Sequence, residues 1–283
     1  REMKTTIGKK SLWQCIRENP SLYIGAALLI LLLVMAIFPG LFTKQSPTDI
    51  CAEIKLQKPS QEHIFGTDVY GRDLFARCVY ATVVDLKIGV IAMIVPLITG
   101  TIIGLLAGFF GGKFDMIVMR IVDIFTAFPF MVLVIAIVAI LGASLTNMYI
   151  AIWCVGWKEY ARLVRSEVLI VKRKEYVDAA RTLGFSNLRI ILRHILPNVI
   201  SSAIVYAASD IVLCMMSGAS LSYLGLGVQP PTPEWGAIIA GGKNYISRCW
   251  WITLYPGLFL LFSGLTFSLL GDGLSDALRN RGR

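Results

Sequence analysis

Charge is scarce in this sequence. Only 16% of its 283 residues are Asp, Glu, Lys or Arg, while 56% are apolar and the mean hydropathy is +0.69. Soluble domains carry roughly a quarter of their residues as charges. Too few charges remain here to cover a water-facing surface, which excludes a soluble enzyme, a disordered tail and a free nucleic-acid-binding domain. Histidine is scarcer still, with His63 and His194 alone. The cysteines, Cys15, Cys51, Cys78, Cys154, Cys214 and Cys249, form no CxxC pair and no metal-ligand spacing. That pattern argues against a structural zinc or iron–sulfur centre and for unpaired cysteines, with a bridge among Cys51, Cys78 and Cys249 as the alternative. Hydrolytic and nucleotide-binding signatures are missing too: there is no GxxxxGK[ST], HExxH or GxSxG. Gly142-Ala143-Ser144 and Gly218-Ala219-Ser220 lack the closing glycine. The chain opens at Arg1 rather than Met, consistent with a few preceding residues. Its first apolar run has no small-residue cleavage site after it and is long enough to stay in a membrane.

What is present is a series of long apolar runs, each near the ~20 residues that cross a bilayer as a helix. They predict an all-α polytopic membrane protein with six spans, at residues 22–42, 88–110, 117–141, 145–164, 198–224 and 251–270. Lys and Arg counts set the orientation. Segment 1–21 holds Arg1, Lys4, Lys9, Lys10 and Arg17. The segment after span four holds Lys158, Arg162, Arg165, Lys172, Arg173, Lys174, Arg181, Arg189 and Arg193, and the tail, 271–283, holds Arg279, Arg281 and Arg283. These are expected to be cytoplasmic, as is Lys113 in the turn between spans two and three. Both termini then lie inside, and 43–87 and 225–250 form external loops. The net charge of +9 is thus mainly an orientation signal rather than a nucleic-acid face.

Several segments invite a more specific reading. Gly100, Gly104, Gly108 and Gly112 place a glycine stripe on one face of span two, suited to close helix packing or to lining a pathway. Arg120, Asp123 and Asp210 fall within predicted spans, where each costs about 2.5–3.5 kcal/mol at mid-bilayer. Arg120 and Asp123 share a face and are expected to pair; Asp210 is either a pathway residue or an interhelical hydrogen-bond partner. Residues 172–197 are too polar to span. Tyr176, Ala180 and Leu183 recur at helical spacing, Gly184 suits a left-handed helix end, and Ser186 suits an N-cap. The helix after Ser186 carries Leu188, Ile191, Leu192 and Ile195 on one side, and Pro197 marks the entry to span five. Two short amphipathic helices joined at a glycine make either a docking surface or an interfacial pair lying on headgroups. On the predicted external side, residues 66–73 alternate turn residues with charges, as a hydrogen-bonded bend requires. A calcium loop there lacks its terminal Glu. Pro230, Pro231 and Pro233 form a second stiff elbow, and Trp235, Trp250 and Trp251 suit an interfacial aromatic belt.

Residues Glu175 to Gly184, reading EYVDAARTLG, with Ile195-Leu196-Pro197 after them, resemble the EAA loop of ABC importer permeases. Residues 193–198, RHILPN, are similar to the peptide/nickel branch. So are 63–73 (HIFGTDVYGRD), the spaced residues Gly111, Gly112, Asp115, Arg120, Asp123, Phe128 and Pro129, and 224–236 (LGLGVQPPTPEWG). Pro256-Gly257 and residues 271–277 complete a resemblance from about 20 to 278, specifically to the C-type second permease subunit of the oligopeptide, dipeptide and nickel group. The resemblance implies a type I importer transmembrane domain in a prokaryotic inner membrane. It also implies a homologous permease partner, two cytoplasmic ATPases that bind ATP and Mg, and an extracytoplasmic solute-binding protein; the chain itself would hold no cofactor or metal. Glu175, Asp178, Ala179, Ala180, Arg181, Gly184, Arg189, Arg193 and Pro197 become ATPase-coupling residues. Gly66, Thr67, Asp68, Gly71, Arg72, Asp73 and Trp235 become candidates for binding-protein docking or an external gate. Peptide is the first substrate expected, nickel or a chelated metal the second.

Departures are concentrated near the predicted external mouth and pathway. After Tyr80 the relatives often carry Gly-Ala-Arg-x-Ser-Leu, whereas this chain has Ala81-Thr82-Val83-Val84-Asp85-Leu86. Gly218 replaces an acidic residue common in relatives, and Asp210 supplies a charge from another turn. The rival function is an ion-coupled secondary transporter using Asp123 and Asp210. A membrane enzyme is weaker, since two histidines on opposite sides make no nucleophile–base set.

Overall fold

The computed structural model describes residues 20–281, with side chains through 277. The expectations for residues 1–19, including the basic N-terminal segment and Cys15, and for Arg283 lie outside the described residues. Within them the chain is almost all helix, and the one β feature is an isolated bridge between Thr67 and Asp73. The helices are α1 (Pro20–Ile37), α2 (Leu74–Phe110), α3 (Gly112–Thr126), α4 (Phe130–Leu141), α5 (Leu145–Val171), α6 (Glu175–Thr182), α7 (Asn187–Ile190), α8 (Leu196–Tyr223), α9 (Trp235–Gly242) and α10 (Trp251–Arg281).

Four helical stretches are long and apolar enough to cross a membrane: α1, α2, α10, and α8 together with the residues leading into it from Asn187. The third predicted span is not one straight helix. It breaks between Thr126 and Phe130, and α3 and α4 diverge by 86°. Pro129 has no N–H to continue the ladder, and the Thr126 hydroxyl donates back to the Val122 carbonyl at 2.7 Å. α5 is 27 residues, about 40 Å of helix, and runs well past the predicted end at residue 164. Lys158 and Arg162, within the predicted bounds although the orientation count gave them to the following segment, and Arg165, just past those bounds, all lie inside α5. These charges make α5 less apolar than the other spans.

Lipid is as apolar as a leucine side chain, so these helices gain little by hiding apolar surface from one another and depend on close fit. The glycine stripe supplies it. A Cβ at Gly100 would sit 2.4 Å from the Trp157 carbonyl oxygen, at Gly104 2.6 Å from that of Ala161, and at Gly108 2.8 Å from Val168 Cβ. The stripe therefore packs α2 against α5 rather than lining a pathway. Gly112 leaves it: its φ of +61° belongs to the turn into α3. α1 lies antiparallel along α10, with Gly25 against Leu270 and Gly273 against Leu22.

Three apolar clusters follow one another along the bundle. The middle one joins α2, α4, α5 and α8 through Ile88, Val134, Val138, Ile152, Val155 and Cys214. One end is built on Leu74, Cys78, Trp235, Trp251 and Ile252. The other is built on Leu105, Val164, Val168, Val177, Ile190 and Ile195. Exposed Ile24, Ile30, Ile98, Ile102 and Ile140 give the outer surface the apolar character a bilayer needs. The five described cysteines are free, so the bridge among Cys51, Cys78 and Cys249 does not form.

Candidate functional site: a glycine-jointed loop seated on the bundle

α6 begins after Lys174 and ends at a left-handed glycine. Gly184 has φ +75°, its N–H donates to the Arg181 carbonyl at 2.9 Å, and the Phe185 N–H donates to that of Ala180 at 3.1 Å. This paired closure is the Schellman motif. The Ser186 hydroxyl then accepts the Arg189 N–H at 3.4 Å and starts α7. α7 does not stop before span five. It passes through a π-helical turn, Ile191–Ile195, straight into α8. Pro197 is thus not a boundary: the wider turn before it accommodates a residue that cannot donate an N–H.

The faces of these helices differ from the sequence expectation. Val177 and Ala180 of α6, and Ile190, Ile191 and Ile195 beyond the joint, face the bundle. Tyr176, Leu183, Leu188 and Leu192 face outward, the last three at 72%, 66% and 53% exposure. Short helices settle their rotation by docking, and β-branched valine and isoleucine fill the tight side. Glu175, Asp178, Ala179, Arg181, Gly184, Arg189, Arg193 and Pro197 are all exposed, and Ala180 alone of the predicted coupling set is buried. Asp178 and Arg181 pair across one turn at 3.0 Å, and the Arg189 guanidinium lies 4.0 Å over the Phe185 ring. Tyr176 and Leu183 are left facing out among these charges, while Leu188 and Leu192 line an apolar cleft with Ile98 and Ile102 of α2.

Beneath these side chains the loop is fastened. Val177 and Ala180 share a cluster with Val168, Val171 and Leu105. Lys172 donates to the Gly108 carbonyl at 2.7 Å, and Arg165 grips Asp115 with two bonds of 2.5 and 2.6 Å. A push on α6 therefore reaches the ends of α2, α3 and α5 through packed side chains and a two-pronged ion pair.

The predicted pair of Arg120 and Asp123 does not form. Asp123 turns instead to Arg162 on α5, at 3.5 Å, and both groups are largely exposed. Asp210 accepts a hydrogen bond from the Tyr160 hydroxyl at 2.8 Å, tying α8 to α5, and Tyr160 meets Tyr206 edge-on. Nearby, Ser201, Ser202, Tyr206, Ser209, Leu163 and Ser275 line a cleft of about 530 Å³ between α5, α8 and α10.

At the far end of the bundle, residues 66–73 are a knot rather than a free surface. Thr67, Asp68, Arg72 and Asp73 are all buried. Asp68 accepts the Tyr70 and Arg72 N–H groups at 2.8 and 3.1 Å and the Arg72 guanidinium at 2.7 Å, with Arg77 3.5 Å away. Thr67 donates to the Ile54 carbonyl, while Asp73 caps α2 through Ala76 N–H at 2.7 Å and meets His63 at 2.8 Å. Gly66 and Gly71 take φ of +75° and +77° against neighbouring backbone, where a Cβ would collide. Trp235 is no belt residue: it is fully buried and donates to the Cys78 carbonyl at 3.0 Å. Trp251 is buried as well, leaving Trp250 exposed.

Residues 100–283 match the family described as "Binding-protein-dependent transport system inner membrane component". The chain belongs to this family. It is similar to a dipeptide transport system permease protein of Alkalihalophilus pseudofirmus, 42% identical over 93% of this chain and 86% of the relative. It is also similar to a di/tripeptide transport system permease protein of Pseudomonas aeruginosa, 38% identical over 95% of this chain and 91% of the relative. A glutathione transport system permease protein of Escherichia coli is 39% identical over 94% and 88%.

In this permease two features escaped sequence reasoning. Lys158, only 5% exposed, sits halfway along α5 and pairs with Glu159 at 3.1 Å. Adjacent opposite charges inside a long helix were the available signal, but orientation counting assigned them to a loop. The serines of the cleft recur on one side of α8 as Ser201, Ser202 and Ser209, a polar track that ends beside Asp210. Among the described residues no cluster of His, Cys, Asp and Glu is arranged to hold a metal ion.

Proposed function

We propose that this permease is one of two homologous six-span subunits of an ATP-driven importer that moves peptides across the inner membrane. In this reading both termini and the Gly184 loop are cytoplasmic, and α5 is the sixth crossing, its charges facing the partner subunit or a wet route. ATP and Mg are bound by two ATPase chains, none by this one, and a solute-binding protein docks on the shell around the Asp68 knot. The carrying observation is the loop: Tyr176 and Leu183 face outward among Glu175, Asp178 and Arg181, while Val177 and Ala180 on the opposite face are packed into the bundle. Such a surface fits a protein partner, and a packed helix pair transmits a partner's movement as a rigid unit. The relatives named for dipeptide, di/tripeptide and glutathione transport support peptides as the substrate class, with nickel the second choice of this reading. Asp210, Tyr160 and the serine cleft are the route residues in this reading. The ion-coupled carrier is not favoured, because Asp123 and Asp210 each have a polar partner and the family depends on a binding protein.

The test is a mild-detergent pull-down of the tagged chain from its native cells, followed by dipeptide uptake in proteoliposomes. A second permease with two ATPases, and uptake that requires ATP, is the expected result. Recovery of this chain alone, with uptake driven by a proton gradient, would overturn it.

A further inference from the structure

Two carboxylic acids meet where the proline-rich elbow joins α2, and no opposite charge meets them. Asp85 on α2 and Glu234, the residue before α9, are both 0% exposed. Glu234 caps α9, its two oxygens accepting the Gly236 and Ala237 N–H groups at 2.9 and 2.7 Å, and the Ser222 hydroxyl reaches it from α8. Asp85 Oδ2 accepts the Trp235 N–H at 3.1 Å. Asp85 Oδ1 is buried with no N–H or hydroxyl donor, and the bond from Trp235, the residue after Glu234, sets the two carboxyls side by side. The other titratable groups near Asp85 are the Cys78 thiol of α2 and the Tyr149 phenol of α5. Neither is cationic. Arg77, the nearest arginine in sequence, is turned to the Pro47 carbonyl and Asp68.

Two buried carboxyls in contact cannot both be ionised, because like charges at that distance repel strongly where water is excluded. We propose that Asp85 and Glu234 share one proton, and that this proton-bridged pair is the positioning contact that holds the α9 elbow against α2. Glu234, which already accepts two backbone N–H groups, keeps the charge; Asp85 keeps the proton on Oδ1 and donates it. The pair titrates as a unit. The position where relatives often carry Ser is the one that supplies the acid.

The sign follows from proton counting. The closed elbow binds a proton that the opened elbow, with ordinary carboxyls, releases. Closure is therefore strongest at low pH and weakens as pH rises from the ordinary carboxylate range to the pair's own titration, then levels off. Asp85→Asn replaces the shared proton permanently: its amide N–H donates to Glu234 and its oxygen still accepts from Trp235. The experiment is hydrogen exchange of residues 235–242 in the intact transporter in lipid nanodiscs, corrected for intrinsic pH dependence. Protection is expected to fall by up to about tenfold per pH unit in that window for the unaltered chain, and to stay flat for Asp85→Asn. Parallel profiles for the two proteins would overturn the proposal. An infrared carboxylic-acid band in the unaltered protein at pH 7, lost in Asp85→Asn, is the second readout. Its absence from the unaltered protein overturns the proposal even if the variant does not fold.

Discussion

Replacement of Gly184 separates backbone geometry from surface chemistry in the coupling loop. The residue sits at φ +75°, the left-handed region, and closes α6 through the two bonds of the Schellman motif. A Cβ there would meet nothing within 4 Å in the permease itself. Alanine therefore brings no clash and costs only the left-handed backbone penalty, about 1–2 kcal/mol. That lowers the population of the native turn by roughly 5- to 30-fold relative to its alternatives. Asparagine tolerates this conformation better and is expected to cost less. The assay is ATP-driven uptake of a labelled dipeptide in proteoliposomes, normalised to inserted permease, with ATP hydrolysis measured in parallel. Gly184→Ala should lower uptake several-fold while membrane insertion and hydrolysis persist, Gly184→Asn should lie between Ala and the unaltered chain, and Gly184→Asp should be worst. Full uptake in Gly184→Ala, or Gly184→Asn falling below it, would refute the reasoning that the turn's geometry sets coupling.

Further outcomes follow from packing and charge. Gly104→Val should destabilise the α2–α5 contact by about 1–3 kcal/mol, since its Cβ would lie 2.6 Å from the Ala161 carbonyl oxygen. Gly257→Ala, with open space around it in the isolated chain, should be neutral or stabilising when both variants are followed by thermal melting of the purified permease. Asp115→Asn, which breaks a short two-pronged bond to Arg165, should lower the melting temperature measurably, whereas Asp123→Asn, facing a largely exposed Arg162, should stay within about 0.5 kcal/mol of the unaltered chain. Asp68→Asn leaves Arg72 and Arg77 buried without their carboxylate, at a cost of about 3–5 kcal/mol, and should abolish accumulation of folded permease on size-exclusion profiles.

Apolar run length, glycine spacing and the loop signature were legible because they depend on local rules. A run of some twenty apolar residues suits a bilayer wherever it sits, and glycines four apart share one helix face whatever they touch. Gly184 and Ser186 acted as helix end and helix start as their backbone chemistry predicts. The rotation of short helices was not legible: Leu183, Leu188 and Leu192 look like core residues, yet Val177, Ala180 and Ile190 fill the packed side. Charge partners were misread for the same reason. Arg120 and Asp123 are three residues apart, but Arg162, 39 residues from Asp123 along the chain, is the one placed within reach. The hydrogen-bonded bend at residues 66–73 formed as read, but its burial was not legible, because turn residues with charges have the same composition whether they face water or one another.

The sequence by itself therefore determined that this chain is a helical membrane permease of a binding-protein-dependent importer family, since hydropathy and motif spacing act over a few turns of helix. Only the tertiary structure decided which face of each helix is buried, which acid meets which base, and that Asp85 and Glu234, 149 residues apart, meet with no base between them. Those outcomes depend on how helices distant in the chain pack, where a shift of one residue exchanges an inward side chain for an outward one.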